Sequence, residues 1–444
     1  MKYNFDEVID RSGTSAVKFD DVKEIWGRND LIPLWVADMD FATAPFITEA
    51  IRQRLEHPVL GYTVKPDSYY QAIIQWNKTR YGLEVEKEMI HFVPGIVPGL
   101  GMALKTFTDP GDKVLIQPPV YGPFSWLNTR SGRTLVTNPL KLVDGTYRMD
   151  IDNFREQVKG CKVFILCNPH NPGGIVWTEE ELVKVAEICY EEGVLVFSDE
   201  IHADLTLPPY KHRPFAMVSE EARMNCVTFM SPSKAFNMPG LSSSHALVFN
   251  PELREKFHHF LESCEFDLGH VFSFVAIEAA YTHGTDWLDQ CLAYIQGNID
   301  YVDAFLQANA PKIKAMRPQA SFLVWLDCRE MGLSQEALID FFVDKAHLAL
   351  NDGTAFGKEG EGFMRLNVAS PRSVLEKALQ QLAEKSFTSV ETIVNPFFTT
   401  HLPSPFITLL GAGTIFNWPS HKPVKIFPST KAIEIRIFFM VLFD

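Results

Sequence analysis

The sequence is notable first for what it does not contain. No run of apolar residues approaches the length of a membrane-spanning helix. The N-terminal stretch MKYNFDEVIDRSG has no apolar h-region, so secretion is not expected and a reducing cytoplasm is. Seven cysteines lie scattered without a C-x-x-C pair, which excludes a disulfide framework or a zinc site and predicts small buried hydrophobes. Positive charge is in deficit. With 41 basic and 55 acidic residues the formal charge is -14, which would repel nucleic acid. No G-x-G-x-x-G follows a strand-like run, which disfavours a nicotinamide dehydrogenase, and there is neither an internal repeat nor a low-complexity linker.

What is there is a chain of 444 residues, 46% hydrophobic, long enough for two domains with a sizeable core. Short apolar runs alternate with helical patterns, the signature of an α/β fold with a mostly parallel sheet. KVFILC, Lys162 to Cys167, is nearly all apolar, as a strand covered on both faces must be. TEEELVKVAEICYEEG then predicts a helix: Thr178 and Glu181 form a capping box, Leu182, Val185, Ala186 and Cys189 share a face, and Gly193 is the stop. VLVFS and CVTFMS read as further buried strands, MIHFVPG and KVLIQPPVYGPF as earlier ones. This rhythm predicts a large domain over residues 46–286 and a smaller α+β domain from 1–45 and 287–386. Residues 387–444 abandon charged, helix-favouring composition for Phe, Pro and Thr, and are expected to lie outside the folded unit.

Three polar motifs stand at the expected carboxyl ends of three strands: NPHNPGG, SDEIHAD and SPSKAFN. Open α/β sheets bind ligands at that edge. Singly, each has a structural explanation, since Asn-Pro marks turns and a strand-end Asp caps helices. In this order they meet the needs of pyridoxal phosphate. Lys234 supplies an amine to hold the cofactor as a Schiff base and then move a proton. Asp199 keeps the pyridine nitrogen protonated, and Asn171 and His202 are donors to the phenolic oxygen. The backbone at Ile96 and Val97, where a glycine-rich loop enters a helix, suits the phosphate, with Ser231 and Ser233 as hydroxyl donors. Tyr121 is the aromatic that covers the ring.

These motifs, in this order, resemble the fold-type I pyridoxal-phosphate enzymes of aminotransferase class I/II. PLWVADMDF, APFITEAI, GYTV and the histidine of DEIHAD resemble more narrowly the MalY/PatB branch of cystathionine β-lyases, or C-S lyases. The likeness spans Met1 to about Ser386. It implies the aspartate-aminotransferase-like fold and a homodimer with shared active sites, in which Tyr62 reaches the phosphate of the neighbouring subunit. It implies that Arg365 and the Ala37 backbone, with Asn171, bind the substrate carboxylate, Arg365 through a bidentate fork that lysine cannot supply. It also favours β-elimination from cystathionine or cysteine S-conjugates. The alternatives it leaves are transamination and a regulatory binding role with residual lyase activity. One position departs: many class I enzymes carry an arginine eight residues after the lysine, where this chain has Ser242.

Overall fold

The computed structural model describes residues 1–391. Seven strands form its principal sheet: β1 (Ile90–Val93), β2 (Lys113–Ile116), β3 (Thr134–Thr137), β4 (Cys161–Cys167), β5 (Leu195–Asp199), β6 (Cys226–Met230) and β7 (Ser244–Leu247). Their spatial order is β1-β7-β6-β5-β4-β2-β3. β7 pairs antiparallel with both neighbours, and the pairs from β6 to β3 are parallel. Parallel strands need covered faces, and alternate residues here divide between two cores. Phe164 and Leu166 of β4 join the larger cluster, while Val163 and Ile165 join the other.

The helix expected after β4 runs Glu179–Glu191, with the Thr178–Glu181 capping box formed and Gly193 in the left-handed region at its end. Leu182, Val185, Ala186 and Cys189 are buried along it. Six of the seven cysteines are buried; Cys264 is exposed.

A second sheet, all antiparallel, comprises β8 (Lys314–Met316), β9 (Leu323–Asp327), β10 (Asn351–Asp352) and β11 (Phe363–Asn367), ordered β8-β9-β11-β10. The boundary expected between residues 286 and 287 falls inside the continuous helix Thr285–Asn309. The last described helix, Arg372–Glu391, includes residues 387–391 of the segment expected to be separate; the remainder of that segment lies outside the described residues. Among the described residues no helix is long and apolar enough to cross a membrane.

Burial sets a pH limit on this fold. His91 and His170 are pushed down to about 4, and His202 and His245 to about 3, because burial disfavours their charged forms. In the unfolded chain each takes up a proton near 6.5, so below that pH the unfolded state binds more protons than the folded one. Stability from these groups is present above pH 6.5 and is lost as pH falls toward 4, by about 1.4 kcal/mol per group per pH unit. Asp199, raised by burial to about 7, and Asp204, also raised, act oppositely over part of the same range. Four groups outweigh two. Urea unfolding of the protein without bound ligands should give a clearly lower midpoint at pH 5 than at pH 7.5; an unchanged midpoint would refute the buried, neutral histidines.

Candidate active site

The site grows from strand register. Cys167 of β4 pairs with Asp199 of β5, and Asp199 with Phe229 of β6, so the three strands end in one row. The loops that follow therefore deliver Asn171, His202 and Lys234 to one edge. These residues and Asp199 line a single cavity with Ala37, Ile96, Val97, Tyr121 and Ser233.

The Lys234 amine donates to the Ala37 carbonyl at 2.6 Å. Burial pulls it down to about 8; Arg365 pulls the same way, while Asp38 and Asp199 oppose. Asp199 accepts from the Ile201 amide at 3.1 Å. His202 is neutral around pH 7, and its buried Nδ1 has no partner among the described residues. Such an atom is costly unless something else completes it. Ser243 Oγ is another buried unpaired atom in the same wall.

Arg365 comes from β11 in the second sheet. Its Nη1 donates to Asn171 Oδ1 at 3.2 Å and its Nη2 to the Trp35 carbonyl at 3.1 Å and to Asn351 Oδ1. The guanidinium sits 4.8 Å over the Phe356 ring. Burial lowers it to about 10, which leaves it charged at neutral pH, and among the described residues Nε is unpaired. A buried cation with an unsatisfied donor is suited to an anionic ligand.

At the other end, Ile96 opens the helix Ile96–Phe107. The first N–H groups of a helix have no intrahelical acceptor, so Ile96 and Val97 present donors toward an anion. Gly95 precedes them at φ 145°, a conformation that favours glycine, and a Cβ there would stand 3.3 Å from the Pro98 ring. Ser233 lines the cavity, but Ser231 does not. Its hydroxyl donates to the Ser243 carbonyl at 2.6 Å and accepts from the Ser233 amide at 3.1 Å, so it shapes the turn. Ser242, in place of the arginine, adopts φ 47° on the cavity wall beside Ser243 and Ser244. Tyr62 is fully exposed and apart from these residues in the single chain.

Sequence reasoning missed Cys167, Ile201 and Ser243 in the wall. Cys167 could have been found as the last residue of its strand, beside Asp199. Among the described residues no cluster of His, Cys, Asp and Glu could hold a metal ion.

Residues 29–382 match the family described as aminotransferase class I and II. The chain belongs to that family. It is 42% identical over 381 residues to cystathionine beta-lyase PatB of Bacillus subtilis, covering 85% of this chain and 98% of that protein. It is 34% identical over 385 residues to protein MalY of Escherichia coli, covering 86% and 98%. A crystal structure of a PLP-bound C-S lyase from Staphylococcus hominis superposes with a TM-score of 0.80 at 36% identity, covering 87% of this chain and 98% of that one. The aminotransferase-like fold read from the motifs is thus the fold of the chain.

Proposed function

We propose that the chain is a pyridoxal-phosphate-dependent carbon-sulfur lyase. It acts by β-elimination on cystathionine or cysteine S-conjugates, releasing a thiol, pyruvate and ammonia. The relatives named for that chemistry support the reading. The observation that carries it is the placement, in one cavity at adjacent strand ends, of the Lys234 amine, lowered to about 8, and the buried Asp199 carboxylate.

The cavity's own chemistry fits pyridoxal phosphate. Unpaired His202 Nδ1 and Ser243 Oγ, a neutralisable amine and open helix N–H groups are what its aldehyde, ring oxygen and phosphate require. When bound, the cofactor supplies an electron sink for the bond broken at Cα. Lys234 would hold it covalently and afterwards take the Cα proton, roles open to an amine whose proton affinity burial lowers toward neutral pH. Asp199 would hold the ring-nitrogen proton, and Asn171 and His202 would donate to the ring oxygen. Ile96 and Val97 N–H, Ser233 and Ser243 would receive the phosphate in place of an arginine at 242, and Tyr121 would cover the ring. Arg365, with Asn171 and the Ala37 backbone, would hold the substrate carboxylate.

The proposed division of labour follows the expected domains: residues 46–286 carry the cofactor groups, while 1–45 and 287–386 carry Ala37 and Arg365 of the carboxylate clamp, which Asn171 joins from the large domain. Tyr62 and the apolar side chains near it, Leu55, Val59, Leu60 and Val64, are exposed in the single chain. That supports a homodimer in which Tyr62 of one copy serves the phosphate of the other.

Arg365→Lys should lower kcat/KM for L-cystathionine by about 10- to 100-fold, mainly through KM, because one bidentate charged contact is lost. An unchanged KM would remove Arg365 from the substrate site. Elimination itself is tested by pyruvate release from L-cystathionine without an added keto acid. Release only when a keto acid is present would make the enzyme an aminotransferase.

A further inference from the structure

The side chains around Lys234 do not explain why its acceptor, the Ala37 carbonyl, stands where it does. The answer lies in a buried ion cluster outside the cavity. Lys18 has no exposed side-chain surface; its ammonium reaches Asp40 Oδ2 at 2.8 Å, the Asp38 carbonyl at 3.4 Å and Asp38 Oδ1 at 3.8 Å. Arg11 donates to both oxygens of Asp38, at 2.6 and 3.2 Å, and through Nη1 to Asp40 Oδ1 at 3.0 Å and the Met39 carbonyl at 3.2 Å. Ser370 also donates to Asp40, at 2.9 Å.

The opposite side of this turn is tied to the active-site segments themselves. Asn367, two residues after Arg365, donates to the Val36 and Asp38 carbonyls, each at 2.7 Å. Asn237, three residues after Lys234, donates to the Met39 and Phe41 carbonyls and accepts from the Met39 amide. The carbonyls on both sides of Ala37 are thereby occupied, and that of Ala37 is presented to the amine. Burying a lysine and two carboxylates costs several kcal/mol per charge before pairing, and apolar residues would fill the volume more cheaply. Its position beside the Ala37 turn gives that cost a purpose.

We propose that Arg11 and Lys18 are positioning residues for Lys234: by clamping Asp38 and Asp40 they hold the Ala37 carbonyl against the amine and keep the Asp38 carboxylate turned toward Arg11. The inference rests on Lys234 being the cofactor-binding amine. Charged or titratable groups that face it are Asp38, Asp199 and Arg365, with His202, Tyr121 and Cys167 in the same wall. Of these, Asp38 is the one whose field the N-terminal cations govern. Arg11 and Asp38 are partly exposed, at 22% and 14%, so either can be changed with less risk to folding than Lys18.

The test is a pH titration of the visible cofactor band in the full-length holoenzyme, for wild type, Arg11→Gln and Asp38→Asn, alongside thermal melts. Both variants break the same ion pair, but they leave opposite charges behind. Arg11→Gln leaves Asp38 less compensated beside the Lys234 nitrogen, so proton affinity there should rise about threefold and the midpoint move up. Asp38→Asn removes the negative charge, so the midpoint should move down by a similar factor. A loss of folding stability alone would shift both the same way, in step with any loss of Tm. That result, or two unchanged midpoints, would overturn the inference. Lys18→Met should behave as Arg11→Gln if it folds, and the Arg11/Asp38 pair decides the matter if it does not. A colourless wild-type protein would instead overturn the reading of Lys234 on which the inference rests.

Discussion

Lys234→Ala should fold normally and release pyruvate from L-cystathionine on the order of 10⁴-fold more slowly than the wild type. The loss is large because one amine has two tasks, holding the cofactor and moving the Cα proton, and among the described residues no second amine lines the cavity. Stability should not suffer. Lys234 makes one hydrogen bond, to Ala37, and burial lowers its proton affinity in the folded state. Below about pH 8 that lowering opposes folding, since the unfolded chain keeps its proton up to about 10.4. Removing the amine should leave the melting temperature of the cofactor-free protein unchanged or raise it. A variant with wild-type pyruvate release would remove Lys234 from the chemistry.

The second large effect is expected at Asp199. Asp199→Asn preserves the shape and can still accept from the Ile201 amide, yet it cannot hold a positive ring nitrogen. Without cofactor, burial raises the carboxyl to about 7; a cation placed against it would hold it ionised, so binding should couple to proton release from this group. The asparagine variant loses that charge and should show kcat reduced about 10²- to 10³-fold, the scale of one preorganised electrostatic contact. The position of its visible absorption should change as well. Near-normal turnover with an unshifted spectrum would place the ring nitrogen elsewhere.

Much of this site was legible because β4, β5 and β6 end in one row. A run such as KVFILC suits a strand covered on both faces, and the motif after each run then falls at the same sheet edge. Asp199, His202, Asn171 and Lys234 were readable for that reason. The Thr178–Glu181 box was readable because capping is local. What escaped depends on contacts between distant segments. No spacing brings the Ala37 carbonyl to Lys234, 197 residues later in the chain. The same holds for Arg11 and Lys18, whose charges look like ordinary surface residues until Asp38 and Asp40 are folded against them. Ser231 and Ser243 exchange roles for a related reason: the turn consumes the first hydroxyl and leaves the second unpaired in the wall. The 25-residue helix that carries the chain across the expected boundary at 286/287 was itself not read from the sequence.

The central claim is that the amine at the end of β6 carries the cofactor covalently. Its most direct test is borohydride reduction of the purified, cofactor-loaded protein, followed by peptide mass spectrometry. One pyridoxyl adduct, on Lys234, is expected; an adduct on another lysine, or none in a protein that retains activity, would contradict covalent attachment there.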